Sequence, residues 1–195
     1  MKVSFCQTYS DRRDLLKIKF NDKRLLEFYS NFDINIFSFH NSPDEVVQWF
    51  KENNNIPNVK IFNNKDVSYT QCIKRLKDTL KAFKATHFFF HQDDTFSFNN
   101  QEVDLNEFFN YVTAKKSLML SLDATDKLFD NPVIETELKS FKVYKSNTAE
   151  FLKAGRWSFD DSPYICTVNY LDVIYDKQYL SFNDVWSSEH YLNSK

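Results

Sequence analysis

Glycine is almost missing from this chain: Gly155 is the only one among 195 residues. That shortage excludes a G-x-G-x-x-G turn and a P-loop, because both need several glycines to bring backbone N–H groups close to phosphate. Any phosphate bound here must be held by side chains and a metal. Cysteine is scarce as well. Cys6, Cys72 and Cys166 are odd in number, far apart and set in apolar surroundings, which reads as reduced, buried thiols rather than disulfides or a zinc site, and so as a reducing compartment. There is no basic excess: 25 Lys and Arg against 27 Asp and Glu give a formal net charge of −2. The cations are scattered rather than gathered into a stripe, so nucleic acid is not expected as a partner. No stretch approaches the ~18 consecutive apolar residues of a membrane span. The N-terminus opens into a strand-like segment rather than a signal peptide, and a soluble, cytoplasmic protein without a transmembrane segment is expected.

What the chain has in excess is aromatic side chains, 17% of the residues with 21 phenylalanines. AT-rich coding accounts for most of them, so they are not read as a stacking surface. The length suits one domain with one core. Its most informative stretch is His87-Phe88-Phe89-Phe90-His91-Gln92-Asp93-Asp94-Thr95, an apolar run that stops in paired carboxylates. So short a run reads as a buried parallel strand, which puts the carboxylates at its C-terminal end, where open α/β sheets place their ligand crevice. Two aspartates there point to Mg²⁺ or Mn²⁺, which favours carboxylate oxygens and bridges to substrate phosphates. The competing reading is a strand cap and turn, which Asp also serves.

Strands and helices alternate along the first half. Lys2 to Gln7 reads as a strand, followed by the polar turn Thr8-Tyr9-Ser10-Asp11 and one helix from about Arg12 to Asn31, with Leu15, Leu16, Ile18, Leu25, Leu26 and Phe28 as its apolar positions. Ile34 to Phe39 is a second strand. Ser42-Pro43-Asp44-Glu45 then matches a helix start, with Ser as cap, Pro at the first position and Glu45 closing a capping box. Val59 to Phe62 precedes an amphipathic helix from Ser68 to Lys84, and the Asp-bearing strand is the fourth. Such alternation implies right-handed crossovers and an α/β, mainly parallel sheet with helices on both faces. Beyond it the pattern loosens into a smaller mixed α+β region: a helix near Leu105 to Lys115, then strand-like Ser117 to Asp123, Phe141 to Tyr144 and Tyr164 to Val168. Nothing between the halves has linker composition, so 1–195 is read as one fused unit.

The order of parts resembles the GT-A glycosyltransferases. The resemblance rests on Val3-Ser4-Phe5-Cys6-Gln7-Thr8-Tyr9-Ser10-Asp11-Arg12-Arg13, the three βα units, and Phe88-Phe89-Phe90-His91-Gln92-Asp93-Asp94. It covers the first half of the chain well and the rest loosely. The family's acidic triplet has carboxylates at both ends, whereas here Gln92 precedes Asp93 and Asp94 and offers a hydrogen bond in place of an anion.

The resemblance implies a GT-A-like domain whose residues 1–100 bind a nucleotide-sugar and whose residues 101–195 bind a glycan or glycoprotein acceptor. Thr8, Tyr9, Asp11 and Arg13, with Arg12 as the alternative to Arg13, would face base, ribose and diphosphate, joined by Asn41, Arg75, Gln92 and Asp93. Asp93, Asp94 and His190 would hold Mn²⁺ or Mg²⁺. Glu189 or Asp161 would be the base that activates the acceptor hydroxyl. Helix capping and solvated helix faces explain Asp11, Asn41 and Arg75 in competing terms. Two other functions fit the same residues: a nucleotide- or glycan-binding module without catalysis, and a metal-dependent nucleotidyl- or phosphoryl-transfer enzyme, since paired carboxylates at a strand end serve that chemistry too.

Overall fold

The computed structural model describes residues 1–94, 104–115, 119–121, 134–137, 139, 142–144, 163–183 and 187. Four strands, β1 (Lys2–Tyr9), β2 (Ile34–His40), β3 (Val59–Asn64) and β4 (His87–Gln92), pair in parallel in the order β3-β2-β1-β4. The second half completes the same sheet. Of its strands β5 (Met119–Ser121), β6 (Ile134–Glu137), β7 (Lys142–Tyr144) and β8 (Tyr164–Thr167), β8 runs antiparallel to β4, and β5 runs antiparallel to β8 at the edge. Strands β6 and β7 form a separate two-stranded ribbon. The α/β fold with a mainly parallel sheet is therefore as expected. No described helix is long and apolar enough to cross a membrane.

Helices cover both faces, which is why the central strands read as nearly continuous apolar runs. On one face, Val3, Phe5, Ile36, Phe88 and Phe90 pack with Ile73, Leu76 and Leu80 of α4 (Tyr69–Ala82) and with Leu171 and Ile174 of a short helix (Leu171–Ile174). On the other, Cys6, Phe37 and Phe39 meet α1 (Arg13–Asn21), α2 (Lys23–Ser30) and α3 (Asp44–Asn53). Phe89 and Ile165 meet α5 (Leu105–Lys115) on that side. The aromatic excess is thus mostly core: Phe5 stacks on Phe90 at 6.0 Å, and Phe90 stacks on Tyr164 at 5.1 Å. All three cysteines are free and buried, and desolvation raises the thiols of Cys6 to about 12 and of Cys72 to about 11.

Three local expectations are corrected. The helix expected over 12–31 is two, because Asp22 leaves the helical region at ψ 112° and its carboxylate accepts the Arg24 N–H at 2.9 Å, ending α1 and capping α2. Within α1 the buried positions are Leu16, Lys19 and Phe20, whereas Ile18 is exposed. Ser42 does not cap α3: Pro43 holds the cap position and the Ser42 hydroxyl is buried without a hydrogen-bond partner among the described residues. The capping box lies on α4 instead, where Ser68 accepts from the Gln71 N–H and the Gln71 side chain accepts from the Ser68 N–H.

With glycine nearly absent, left-handed turns fall to other residues. Ser10, Asn41 and Asp66, at φ 49°, 53° and 53°, follow the C-terminal ends of β1, β2 and β3. Asn and Asp tolerate this region best, and the side-chain oxygen of Asn41 accepts the Asp66 N–H at 3.1 Å, tying two of these turns together.

Two outcomes follow for stability. Ser68→Ala should lose about 1 kcal/mol by chemical denaturation, while Ser42→Ala should be neutral or stabilising because it removes an unsatisfied buried hydroxyl. His91 is buried and held neutral: burial, then the Lys19 charge, depress its pKa well below the ordinary 6.5. The unfolded chain takes up that proton first as pH falls. The His91 contribution to stability should therefore drop by about 1.4 kcal/mol per pH unit below 6.5 until His91 itself titrates, and His91→Gln should lack that contribution to the pH slope.

Candidate functional site

Winding from β1 through β2 to β3 moves outward in one direction, and the chain then returns to place β4 on the other side of β1. The order reverses between β1 and β4, the position where open α/β sheets place their ligand crevice. The loops after β1 and β4 both carry charge. After β4 the Asp93 N–H donates to the Gln7 carbonyl at 3.0 Å, extending the β1–β4 pairing by one residue and fixing the aspartate in place.

The Asp93 side chain has no exposed surface, yet its carboxylate is well supplied with donors. Oδ2 accepts from the Thr8 hydroxyl at 2.5 Å, and Oδ1 accepts from Arg12 Nη1 at 3.2 Å. The Tyr9 backbone N–H donates to it as well. The same Arg12 nitrogen reaches Asp94 Oδ2 at 3.4 Å, so one guanidinium bridges both aspartates. Beneath them lies Lys19, 1% exposed on α1, whose charge acts on Asp93, Asp94 and Cys6. Burial lowers the Lys19 pKa, and burial raises that of Asp93, against the Thr8 hydrogen bond and the Arg12 charge. Arg12 also lines a cavity of about 570 Å³, together with Asp11, Arg13, Asp14, Leu15, Lys17 and Trp49. That volume lies within the range of small-molecule sites.

The residues expected at the site separate into groups. Thr8, Asp93 and Asp94 come together around Arg12. Asp11 and Arg13 occupy the cavity wall but are paired with each other, Arg13 Nε donating to Asp11 at 2.9 Å. Tyr9 packs edge-on against His40 at 5.6 Å, and Asn41 is engaged by Asp66 as described above. Gln92 is the last residue of β4, opposite Gln7. Arg75 is not brought to the aspartates: on α4 its guanidinium donates to Asn64 Oδ1 at 2.8 Å and lies 4.5 Å over the Phe62 ring. Asp161, Glu189 and His190 lie outside the described residues.

Sequence reasoning preferred Arg13 to Arg12 and passed over Lys19 and Gln7. Lys19 was visible as a cation one residue before Phe20 on the apolar stripe that begins at Leu16. Gln7 was visible as an amide inside an apolar strand; both its polar atoms are buried without a partner among the described residues.

The described residues do not fit a divalent ion held by both carboxylates. Such an ion needs several oxygens directed at it, and both Asp93 oxygens are already engaged while Arg12 fills the space between the aspartates. Among the described residues no three His, Cys, Asp or Glu side chains are grouped to hold a metal.

No protein-family model matches the chain, and no curated protein matches it. Among solved structures it is similar to the crystal structure of 4-diphosphocytidyl-2C-methyl-D-erythritol synthase, at 9% identity and a TM-score of 0.47, over 98% of this chain and 84% of that one. A likeness of that size carries no argument about function.

The raised pKa of Asp93 gives a signed expectation. A carboxyl whose folded value exceeds its ordinary 3.8 weakens the fold when ionised, and the weakening disappears below the unfolded value. The thermal stability of Asp93→Asn relative to wild type should therefore be highest near neutral pH and fall as pH is lowered toward 4. A difference independent of pH would contradict a desolvated Asp93.

Proposed function

We propose that the protein is a nucleotide-dependent transferase whose nucleotide occupies the cavity along the start of α1, beside Arg12. The observation that carries this reading is Arg12, anchored by Asp93 and Asp94 at the point where the sheet order reverses and opening onto the cavity beside Trp49. Guanidinium groups recognise phosphate by charge-assisted hydrogen bonds, and the Trp49 indole, backed by Phe20 at 5.6 Å, would serve as a platform for a base that takes the place of Lys17, which lies 5.7 Å over the ring. Arg12, Arg13 and Lys17 offer cations along the same wall.

The specific reaction we put forward is glycosyl transfer, with a UDP- or GDP-sugar as donor and a hydroxyl of a glycan or glycoprotein as acceptor. The acceptor oxygen forms a bond to the anomeric carbon as the bond from that carbon to the phosphate oxygen breaks. The nucleoside diphosphate leaves with the electron pair, and the acceptor proton passes to a carboxylate, for which Glu189 and Asp161 are the candidates. On this chain's own residues, charge growing on the departing phosphate would be met by the Arg12 guanidinium rather than by backbone N–H groups of a glycine loop.

Nucleotidyl transfer is the second reading, since paired carboxylates at a strand end serve that chemistry too. The two differ in what is released: a nucleoside diphosphate from a nucleotide-sugar in the first, pyrophosphate from a nucleoside triphosphate in the second. Calorimetry with UDP, GDP, CDP and their sugar conjugates should find one preferred nucleotide. Trp49→Ala should weaken its binding by roughly 1–3 kcal/mol, the usual worth of base–aromatic stacking. Absence of binding to every nucleotide would overturn both readings, and binding without release of either product would leave a non-catalytic nucleotide-binding module.

A further inference from the structure

We propose that Arg12 is the resident cation of this site, and that the protein holds the phosphates of its nucleotide through this guanidinium without a divalent metal. The inference rests on the nucleotide reading above, but its core is the geometry around two carboxylates.

Paired aspartates at a strand end attract a divalent ion because two anions held close together repel each other until a cation neutralises them. Here a cation is already in place. Arg12 Nη1 lies 3.2 Å from Asp93 Oδ1 and 3.4 Å from Asp94 Oδ2, so the guanidinium occupies the bridging position an ion would take. The second Asp93 oxygen is bound by Thr8, and Lys19 supplies another positive charge from below. A metal could join both carboxylates at this position only by displacing Arg12.

The same geometry leaves Arg12 with donors to spare. A guanidinium has five N–H groups in a fixed plane. Among the described residues only Nη1 is given protein acceptors, while the side chain is 38% exposed and lines the cavity. The carboxylates thus fix one corner of the plane, and the remaining edge is presented to the cavity already oriented. That preorganisation is what a phosphate site requires, and it explains why a chain with a single glycine and an incomplete acidic triplet, Gln92-Asp93-Asp94, can still build one.

The test measures two separate bindings on wild type, Arg12→Ala and Arg12→Lys: Mn²⁺ alone by electron paramagnetic resonance, and UDP, GDP and CDP by calorimetry in EDTA and in Mn²⁺. Circular dichroism establishes that each variant is folded. Wild type should bind its nucleotide equally in EDTA and in Mn²⁺. Arg12→Ala should lose at least about tenfold in nucleotide affinity in EDTA, and should bind Mn²⁺ at least about tenfold more tightly than wild type, because its carboxylates are released. Arg12→Lys, which keeps the charge and loses the planar fork, should fall between the two for nucleotide. Nucleotide binding by wild type that vanishes in EDTA, or Mn²⁺ affinity unchanged by Arg12→Ala, would overturn the proposal. If none of UDP, GDP and CDP binds wild type but Arg12→Ala gains Mn²⁺, the nucleotide reading fails and Arg12 stands as the cation that replaces the metal.

Discussion

A carboxylate without solvent contact must have its charge met by donors nearby, because water cannot supply them. Asp93 satisfies this requirement from two parts of the chain, the Thr8 hydroxyl and Tyr9 N–H at the end of β1 and Arg12 at the entry to α1, while its own N–H on the Gln7 carbonyl fixes its backbone. These contacts draw the loops after β1 and β4 together at the reversal of strand order. The position of Arg12 follows from them, and the orientation of the cavity wall along the start of α1 follows from Arg12. Lys19, buried below, belongs to the same arrangement: an isolated ammonium in that place would be costly, and the aspartates above it offset part of that cost.

The scarcity of glycine shapes the site in a second way. Phosphate sites built from glycine loops present backbone N–H groups. Here the turns after β1, β2 and β3 are made by Ser10, Asn41 and Asp66 in the left-handed region, each carrying a side chain that glycine lacks. Close approach of the backbone to an anion is therefore poorly served. Recognition passes to long side chains, and arginine, with a rigid and permanently charged fork, suits that task better than lysine.

Much of the architecture was legible because it rests on periodicity. The four parallel strands, α3, α4 and α5 appear close to where apolar spacing puts them, since burial on both faces leaves strands such as Phe88-Phe89-Phe90 almost no polar positions. Local signals were less dependable. Asp22 breaks a helix whose apolar pattern continues through it, because its carboxylate can cap the next segment. Ser42-Pro43-Asp44-Glu45 has the sequence of a capping box, yet the chain enters α3 with the Ser42 hydroxyl turned into the interior. Of the two-stranded ribbon, β7 falls within the strand-like stretch Phe141 to Tyr144, whereas β6, only four residues long, gave no clear signal.

At the site, the sequence by itself determined that Asp93 and Asp94 end a buried parallel strand and that a glycine-based phosphate loop is excluded, since both depend only on composition and on a run of neighbouring residues. It could not determine which arginine of the Arg12-Arg13 pair meets the aspartates. That choice depends on the turn at Ser10 and on the direction in which α1 leaves the sheet, which send Arg12 toward β4 and Arg13 back to Asp11. Nor could it separate Arg75 from the site or put Lys19 beneath it, because which face of the sheet a helix covers is set by chain crossover and packing. Only the tertiary structure brings residues more than eighty positions apart into one cluster of charge, and the balance of that cluster decides whether the paired carboxylates meet a metal or a side chain.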